Sequence, residues 1–331
     1  MNHIEADTFA QARSVDAGSD ETTGQRMLSV PNVSEGRRGD LVGILADSCR
    51  GEDVDVIDVH TDPDHNRSVL TIVARPAPLA SALRSLARRC VETIDVRRHE
   101  GVHPCTGALD VVPIVVFDDA DMPIATQIAE DVAGYIGEYL EVPVFLYGLL
   151  ARSEQLRRPH GLRSIGFDQI ASDMRDGTLV PTYGPARMHP TAGCVLVGVR
   201  PPLVAWNVWL PDATRMEARA LADRVRESGG GLPGVRAMGL YLSEAGMMQL
   251  SMNLEDTWET PVGVVMRVVR REAERLGIAL GDSELVGMIP RHALGAESPE
   301  SLGLVGFSHD RILEHRCPDL HRDYTQGAFD R

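Results

Sequence analysis

VDVIDVHTDPDHNRSVLTIVA, residues 54–74, decides the fold. Two runs rich in Val and Ile flank a cluster of Asp, Pro, His and Asn, so the stretch reads as two strands joined by a turn. Upstream, MLSVPNVSE (27–35) reads as a strand, and GDLVGILADSCR (39–50) carries apolar residues at helical spacing. Downstream, PLASALRSLARRCVETI (78–94) places Leu79, Leu83, Leu86 and Val91 roughly on one helical face, and ALDVVPIVVF (108–117) reads as a buried strand. The order is β-α-β-β-α-β.

The same order returns in the second half. PLVAWNVWL (202–210) reads as strand, ATRMEARALADRVRES (213–228) as helix, GVRAMGLYLSEAGMMQLSMNL (234–254) as hairpin, PVGVVMRVVRREAERLG (261–277) as helix and SELVGMIP (283–290) as closing strand. Two segments agreeing on all six element types predict an α/β (α+β) protein of two split-βαβ, ferredoxin-like subdomains with an interdomain cleft. Between them lie a helix (123–141), the strand VPVFLYG (142–148) and a stretch from about 151 to 200, rich in Gly, Pro, Arg and His, that reads as irregular. Long irregular segments of this kind often carry function. The predicted partition is a mobile polar tail over 1–24, a first subdomain over 25–199, a second over 200–295, and an extension over 296–331.

A chain of 331 residues with 43% hydrophobic content can bury a substantial core. No run of 18 apolar residues occurs, and the N-terminus lacks the basic-then-apolar order of a signal peptide, so the expectation is a cytoplasmic protein without membrane association. The net charge of −15 argues against a nucleic-acid partner. Cys49, Cys90, Cys105, Cys194 and Cys317 are odd in number and scattered, which supports neither a disulfide framework nor a zinc ribbon. The chain has no lysine, which removes Schiff-base catalysis and the P-loop mode of phosphate binding.

Three patterns carry candidate chemistry. RRHEGVHPCTGALDVVP (97–113) sets His99 and His103 four apart, but Gly101 and Pro104 interrupt any helix, so a metal pair is disfavoured and no metal is expected. A proton-transfer histidine at a strand entrance and a turn histidine bonded to nearby backbone both fit. The hairpin tip collects Asp58, His60, Asp62, Asp64, His65, Asn66 and Arg67, a set that turn chemistry alone also explains. RESGGGLPG (226–234) follows a helix and lacks the G-K-S/T ending, so it reads as a helix cap rather than a phosphate loop. Cys105 lies two residues from His103 without a predictable base partner.

Taken in order, SVPNVSEGRR, HTDPDHNRSVLTIV, RRHEGVHPCTGALDVVP, VPVFLYG, AWNVWL and SELVGMIP resemble the formiminotransferase domain family over about Met27 to Leu294. The resemblance implies a homodimer of two-subdomain chains that moves a formimidoyl group from N-formimidoyl-L-glutamate to N5 of tetrahydrofolate, the folate serving as co-substrate. It implies no cyclodeaminase part, the residues after Leu294 being too few for a further domain. The family's catalytic histidine, immediately before proline, falls on His103, with Asp58 and His60 beside the position of an assisting acid. Asn32, Asn66, Arg67 and Cys105 fall on substrate-binding positions. The folate-binding segment falls on Gly184, Pro185, Ala186, Arg187, Met188, His189, Pro190, Thr191, Ala192 and Gly193, so that the polar linker would close over the pterin.

The chain departs from the family pattern at His60, where an acid is expected, at Cys105, where an Arg is expected, and at Ala186–His189, where a Ser-rich version is expected. Those departures keep two alternatives in play: formimidoyl or formyl transfer with another donor or acceptor amine, and a non-catalytic folate-binding homologue.

Overall fold

The computed structural model describes residues 25–320. The predicted tail over 1–24 and the end of the predicted extension lie outside the described residues.

The first unit is built from β1 (Met27–Ser29), β2 (Asn32–Val33), helix α1 (Gly39–Cys49), β3 (Val54–Asp62), β4 (Arg67–Ala74), α2 (Pro76–Thr93) and β5 (Leu109–Val115). Helix α3 (Met122–Tyr139), β6 (Val144–Gly148), the short α4 (His160–Arg163), α5 (Gly166–Arg175) and β7 (Val195–Arg200) follow. Among the described residues, seven strands form one sheet in the order β1-β4-β2-β5-β7-β6, with β3 on the outer side of β4. The segment read as a single strand over 27–35 is broken at Pro31, and both pieces pair antiparallel with β4 and β5. The segment read as irregular over 151–200 contains two helices and β7, which inserts parallel between β5 and β6. Gly, Pro and Arg density hid these elements, because α5 and β7 draw their burial from distant partners. Ile170 and Met174 of α5 pack with Phe145, Tyr147 and Leu196.

The second unit holds β8 (Val204–Leu210), α6 (Arg215–Val225), β9 (Val235–Leu242), β10 (Met247–Leu254), α7 (Val262–Leu276) and β11 (Ser283–Val286), with sheet order β11-β8-β10-β9. Fourth-first-third-second is the ferredoxin-like arrangement, and β5-(β1, β2)-β4-β3 in the first unit repeats it. Local chemistry sets the limits of these helices. Thr214 and Glu217 form a reciprocal capping box on α6, and Gly277 closes α7 with φ of 70°.

Helices α1, α2 and α3 cover one face of the first sheet through Leu45, Leu79, Leu83, Ile128 and Ile136. Helices α6 and α7 cover one face of the second through Leu221, Val265 and Val269 against Trp206 and Leu250. The other face of the first sheet carries apolar patches under α5 and under the C-terminal residues, and polar contacts join it to the second unit. His60 of β3 lies 3.6 Å from Glu284 of β11. The β3–β4 turn grips the β9–β10 turn, with the Asp64 carboxylate accepting from the backbone N–H groups of Glu244 (2.7 Å) and Ala245 (3.3 Å).

After β11, α8 (Arg291–Leu294) stays in the second core through Ala293 and Leu294, and the chain returns to the first unit only at α9 (Leu313–Arg316). Leu313, Cys317 and Leu320 pack with Met288 on Leu28, Val73, Val115 and Phe117. Arg311 anchors this return by donating to the carbonyls of Leu285 and Gly287 at 2.8 and 2.6 Å. Among the described residues no helix is long and apolar enough to cross a membrane.

Candidate active site

The site grows from the turn between β3 and β4 and from the loop entering β5. Within the turn, the Asp62 carboxylate accepts from the His65 N–H at 2.8 Å, and Asn66 takes the left-handed conformation with φ of 47°. The Asn66 side chain accepts from Gly36 N–H at 2.9 Å and reaches His99 Nδ1 and the Glu100 carbonyl, both at 3.4 Å. Gly36 has to be glycine, because a Cβ there would stand 2.1 Å from the Asp62 carbonyl oxygen. Three segments distant in sequence are thus pinned together, and Arg67 projects from the junction.

Arg67 donates through Nε to Asn32 Oδ1 (3.0 Å) and through Nη1 to Asp110 Oδ2 (2.6 Å). Arg163, at the end of α4, donates through Nη2 to the same Asp110 oxygen. Asp110 Oδ1 accepts from Thr106, from its N–H at 2.8 Å and its hydroxyl at 3.0 Å. Burial by itself pushes the Asp110 carboxyl up, but Arg163 and Arg67 outweigh it and hold the group well below the usual carboxylate range. Burial and the neighbouring Arg163 charge both lower Arg67 from its ordinary value, with Asp110 opposing them.

His103 sits over this cluster. Its Nδ1 lies 2.8 Å from the Pro104 carbonyl oxygen. A carbonyl only accepts, so Nδ1 carries the hydrogen of the neutral ring and Nε2 keeps a lone pair. The ring stacks on His65, with centroids 5.7 Å apart, and His65 in turn meets Gln249 of β10 at 2.9 Å. Burial, then the Arg67 and Arg163 charges, hold the His103 imidazole well below its ordinary value of 6.5, against the pull of Asp110. The residue keeps a partly exposed edge. His99 does not join it as a ligand pair: its ring faces Asn66 and the backbone of Ser34, and burial lowers its pKa. The Cys105 thiol, beside the same arginines, is pushed up to about 11 by burial and then by Asp110, which keeps it neutral and poorly nucleophilic near neutral pH.

The structure therefore brings Asn32, Asn66, Arg67, His103 and Cys105 together. Asp58 and His60 occupy an adjoining cluster along β3. Burial lowers His60 against the pull of Glu284, and burial raises Asp58 against the pull of Arg311. Asp58 Oδ2 is buried without a hydrogen-bond partner among the described residues, and no described hydrogen bond or ion pair joins either residue to His103.

The end of the segment Gly184–Gly193 lies against the loop entering β5, while Gly184 packs on Gly137 and Val142. Gly193 bridges to Gly107, Ala192 O accepts from Ala108 N–H (2.9 Å), and Thr191 O accepts from Val96 N–H (2.8 Å). A Cβ on Gly107 would stand 2.2 Å from the Cys194 carbonyl oxygen, so the approach requires glycine. The His189 ring closes the segment on itself, Nδ1 accepting from Ala192 N–H at 2.9 Å. Arg187 is exposed and pairs with Glu141 at 3.5 Å.

Asp110, Thr106, Arg163 and Gln249 were not among the residues singled out in the sequence. Asp110 left a trace, a carboxylate inside the apolar run ALDVVPIVVF, which demands a buried counter-charge. Arg163 left none.

Two ferredoxin-like units, joined where the stacked His103 and His65 rings reach Gln249 of the second unit beside a buried Arg67–Asp110–Arg163 triad, define a two-unit α/β protein. The chain belongs to the formiminotransferase domain family. The model of the formiminotransferase domain, N-terminal subdomain, matches residues 26–200, and that of the formiminotransferase domain matches 205–298. It is 34% identical over 290 residues to a glutamate formimidoyltransferase of Thermoplasma acidophilum, covering 87% of this chain and 95% of that one. A Streptococcus pyogenes protein of the same name is 32% identical over 288 residues, covering 86% and 96%. The formimidoyltransferase-cyclodeaminase of Rattus norvegicus is 32% identical over 277 residues, 82% of this chain but 51% of the longer relative.

Proposed function

We propose that the protein transfers a formimidoyl group from N-formimidoyl-L-glutamate to N5 of tetrahydrofolate, with His103 as the general base and acid. The reading rests chiefly on one observation: the His103 ring gives Nδ1–H to the Pro104 carbonyl and leaves the Nε2 lone pair free. As N5 attacks the amidine carbon, Nε2 takes the N5 proton and a tetrahedral intermediate forms. The imidazolium then returns that proton to the glutamate nitrogen, the carbon–nitrogen bond to glutamate breaks, and 5-formimidoyl-tetrahydrofolate and glutamate are released. A base with a lowered pKa stays unprotonated on the acid side of neutrality, and the resulting imidazolium is a strong enough acid to expel an amine. The Arg67 and Arg163 guanidiniums supply fixed positive charge beside an anionic donor.

In this reading Gly184–Gly193 holds the pterin against the His103 loop, and Asp58 and His60 line the approach from the second unit. The working form is a cytoplasmic homodimer. Replacement of the expected Arg by Cys105 favours a second reading, the same transfer from a donor other than formimidoylglutamate. Transfer assays with formimidoylglutamate and tetrahydrofolate separate the two. His103→Ala should lower kcat by roughly 10²–10⁴-fold while leaving the thermal midpoint nearly unchanged. Retention of near-full rate would remove His103 from the mechanism. In the active protein the acid limb of kcat/KM should lie below the ordinary imidazole value of 6.5, since burial and the two arginines depress the pKa.

A further inference from the structure

Two guanidiniums converge on a single oxygen of Asp110, and among the described residues no second carboxylate is bonded to either of them. Both Asp110 oxygens are already engaged, Oδ2 by the two arginines and Oδ1 by Thr106. The cluster thus carries one positive charge without a bonded counter-charge. It also has donors to spare. Arg163 Nε is buried with no hydrogen-bond partner among the described residues, while Arg67 uses Nε and Nη1 and Arg163 uses Nη2. A buried donor without an acceptor is costly, and a buried cation without an anion more so. Such a pair is completed by a planar anion that accepts two parallel N–H bonds, and a carboxylate has that shape.

We propose that Arg163, together with Arg67, binds the α-carboxylate of the donor and so restricts it to N-formimidoyl α-amino acids. The proposal rests on the transfer reading above, and it adds a residue and a chemical requirement to it. The choice of carboxylate follows from bond connectivity. In the donor the α-carboxylate is attached to the carbon that bears the reacting nitrogen, so a group bound beside His103 places that nitrogen within reach of Nε2. The γ-carboxylate is two carbons further away. In tetrahydrofolate the carboxylates lie beyond the p-aminobenzoyl group from N5, too far to sit next to the histidine that takes the N5 proton. Arg163 is therefore a residue that touches substrate, and Asp110 and Asn32 are positioning residues that aim the forks.

The test pairs one residue with one substrate group. Transfer rates are measured for wild type, Arg163→Gln and Arg163→Lys with three donors: formimidoylglutamate, its α-amide and its γ-amide. With the natural donor and the γ-amide, Arg163→Gln should lower kcat/KM by about 10- to 100-fold, the loss expected for one charge-assisted bond and carried mainly by KM. With the α-amide, already slow, the same substitution should cost little further. Arg163→Lys should recover part of the loss, because it keeps charge without the fork. Equal losses on all three donors, or an α-amide used as well as the natural donor, would overturn the proposal. So would a penalty that disappears when tetrahydropteroate, which lacks the glutamate tail, replaces tetrahydrofolate. Titration of N-acetyl-L-glutamate and its α-amide into wild type and Arg163→Gln reads carboxylate binding without turnover. Selective weakening of the first ligand by the substitution supports the site even if no formimidoyl donor is turned over, and in that case the transfer reading fails alone. Circular dichroism and the thermal midpoint of each variant confirm that a folded protein is being compared.

Discussion

Asp110 has a side chain with no solvent exposure, yet it stays ionised, because two guanidiniums and two Thr106 donors replace the water it has lost. Removing it leaves two like charges facing each other in the protein interior. Asp110→Ala is expected to cost roughly 3–5 kcal/mol in stability, the range for breaking a buried ion pair from one side, and urea denaturation would measure it. Asp110→Asn keeps the shape and one acceptor for Thr106, and should cost less. The neighbouring Cys105 shows why identity at one position does not settle chemistry. Its thiol is neutral near neutral pH, because burial outweighs the nearby Arg67 and Arg163 charges.

Tight backbone crossings assemble the site from its elements. The His103 loop is held between the β3–β4 turn and the 184–193 segment by glycines that let backbone touch backbone. At Gly101 a Cβ would stand 2.3 Å from the His65 carbonyl, and at Gly107 it would stand 2.6 Å from the Ala192 carbonyl. Gly107→Ala therefore has to part the loop from the segment proposed to hold the pterin. The expected result is weaker binding of a folate analogue in calorimetry together with a destabilisation of about 1–3 kcal/mol, the usual cost of overpacking. Unchanged folate affinity in a destabilised protein would detach that segment from pterin binding.

On the scale of the whole chain, burial couples protonation to folding. His60, His99 and His103 all have pKa values lowered by burial, so below their ordinary value of 6.5 the unfolded chain takes up protons that the native state refuses. Stability should accordingly fall as pH drops through 6.5 and below. Asp110, lowered by its arginines, adds to the loss further down, while Asp58, raised by burial, acts in the opposite sense. Thermal midpoints across pH 5 to 8 would show the slope, and a flat profile would mean that these rings gain charge without unfolding.

The sequence by itself determined the duplicated β-α-β-β-α-β order, the loop bearing His103, and the hairpin that supplies Asn66 and Arg67. These are legible because strand and helix periods, turn formers and capping residues act over a few neighbouring positions. The same locality explains what was hidden. The insertion of β7 between β5 and β6 depends on apolar partners far away in the chain. The return of Leu313, Cys317 and Leu320 onto the first sheet depends on Leu28 and Val115. The Arg67–Asp110–Arg163 triad joins three segments in which only Asp110 looks out of place. Long-range burial and charge pairing are properties of surfaces brought together by folding, and only the tertiary structure decides which surfaces meet.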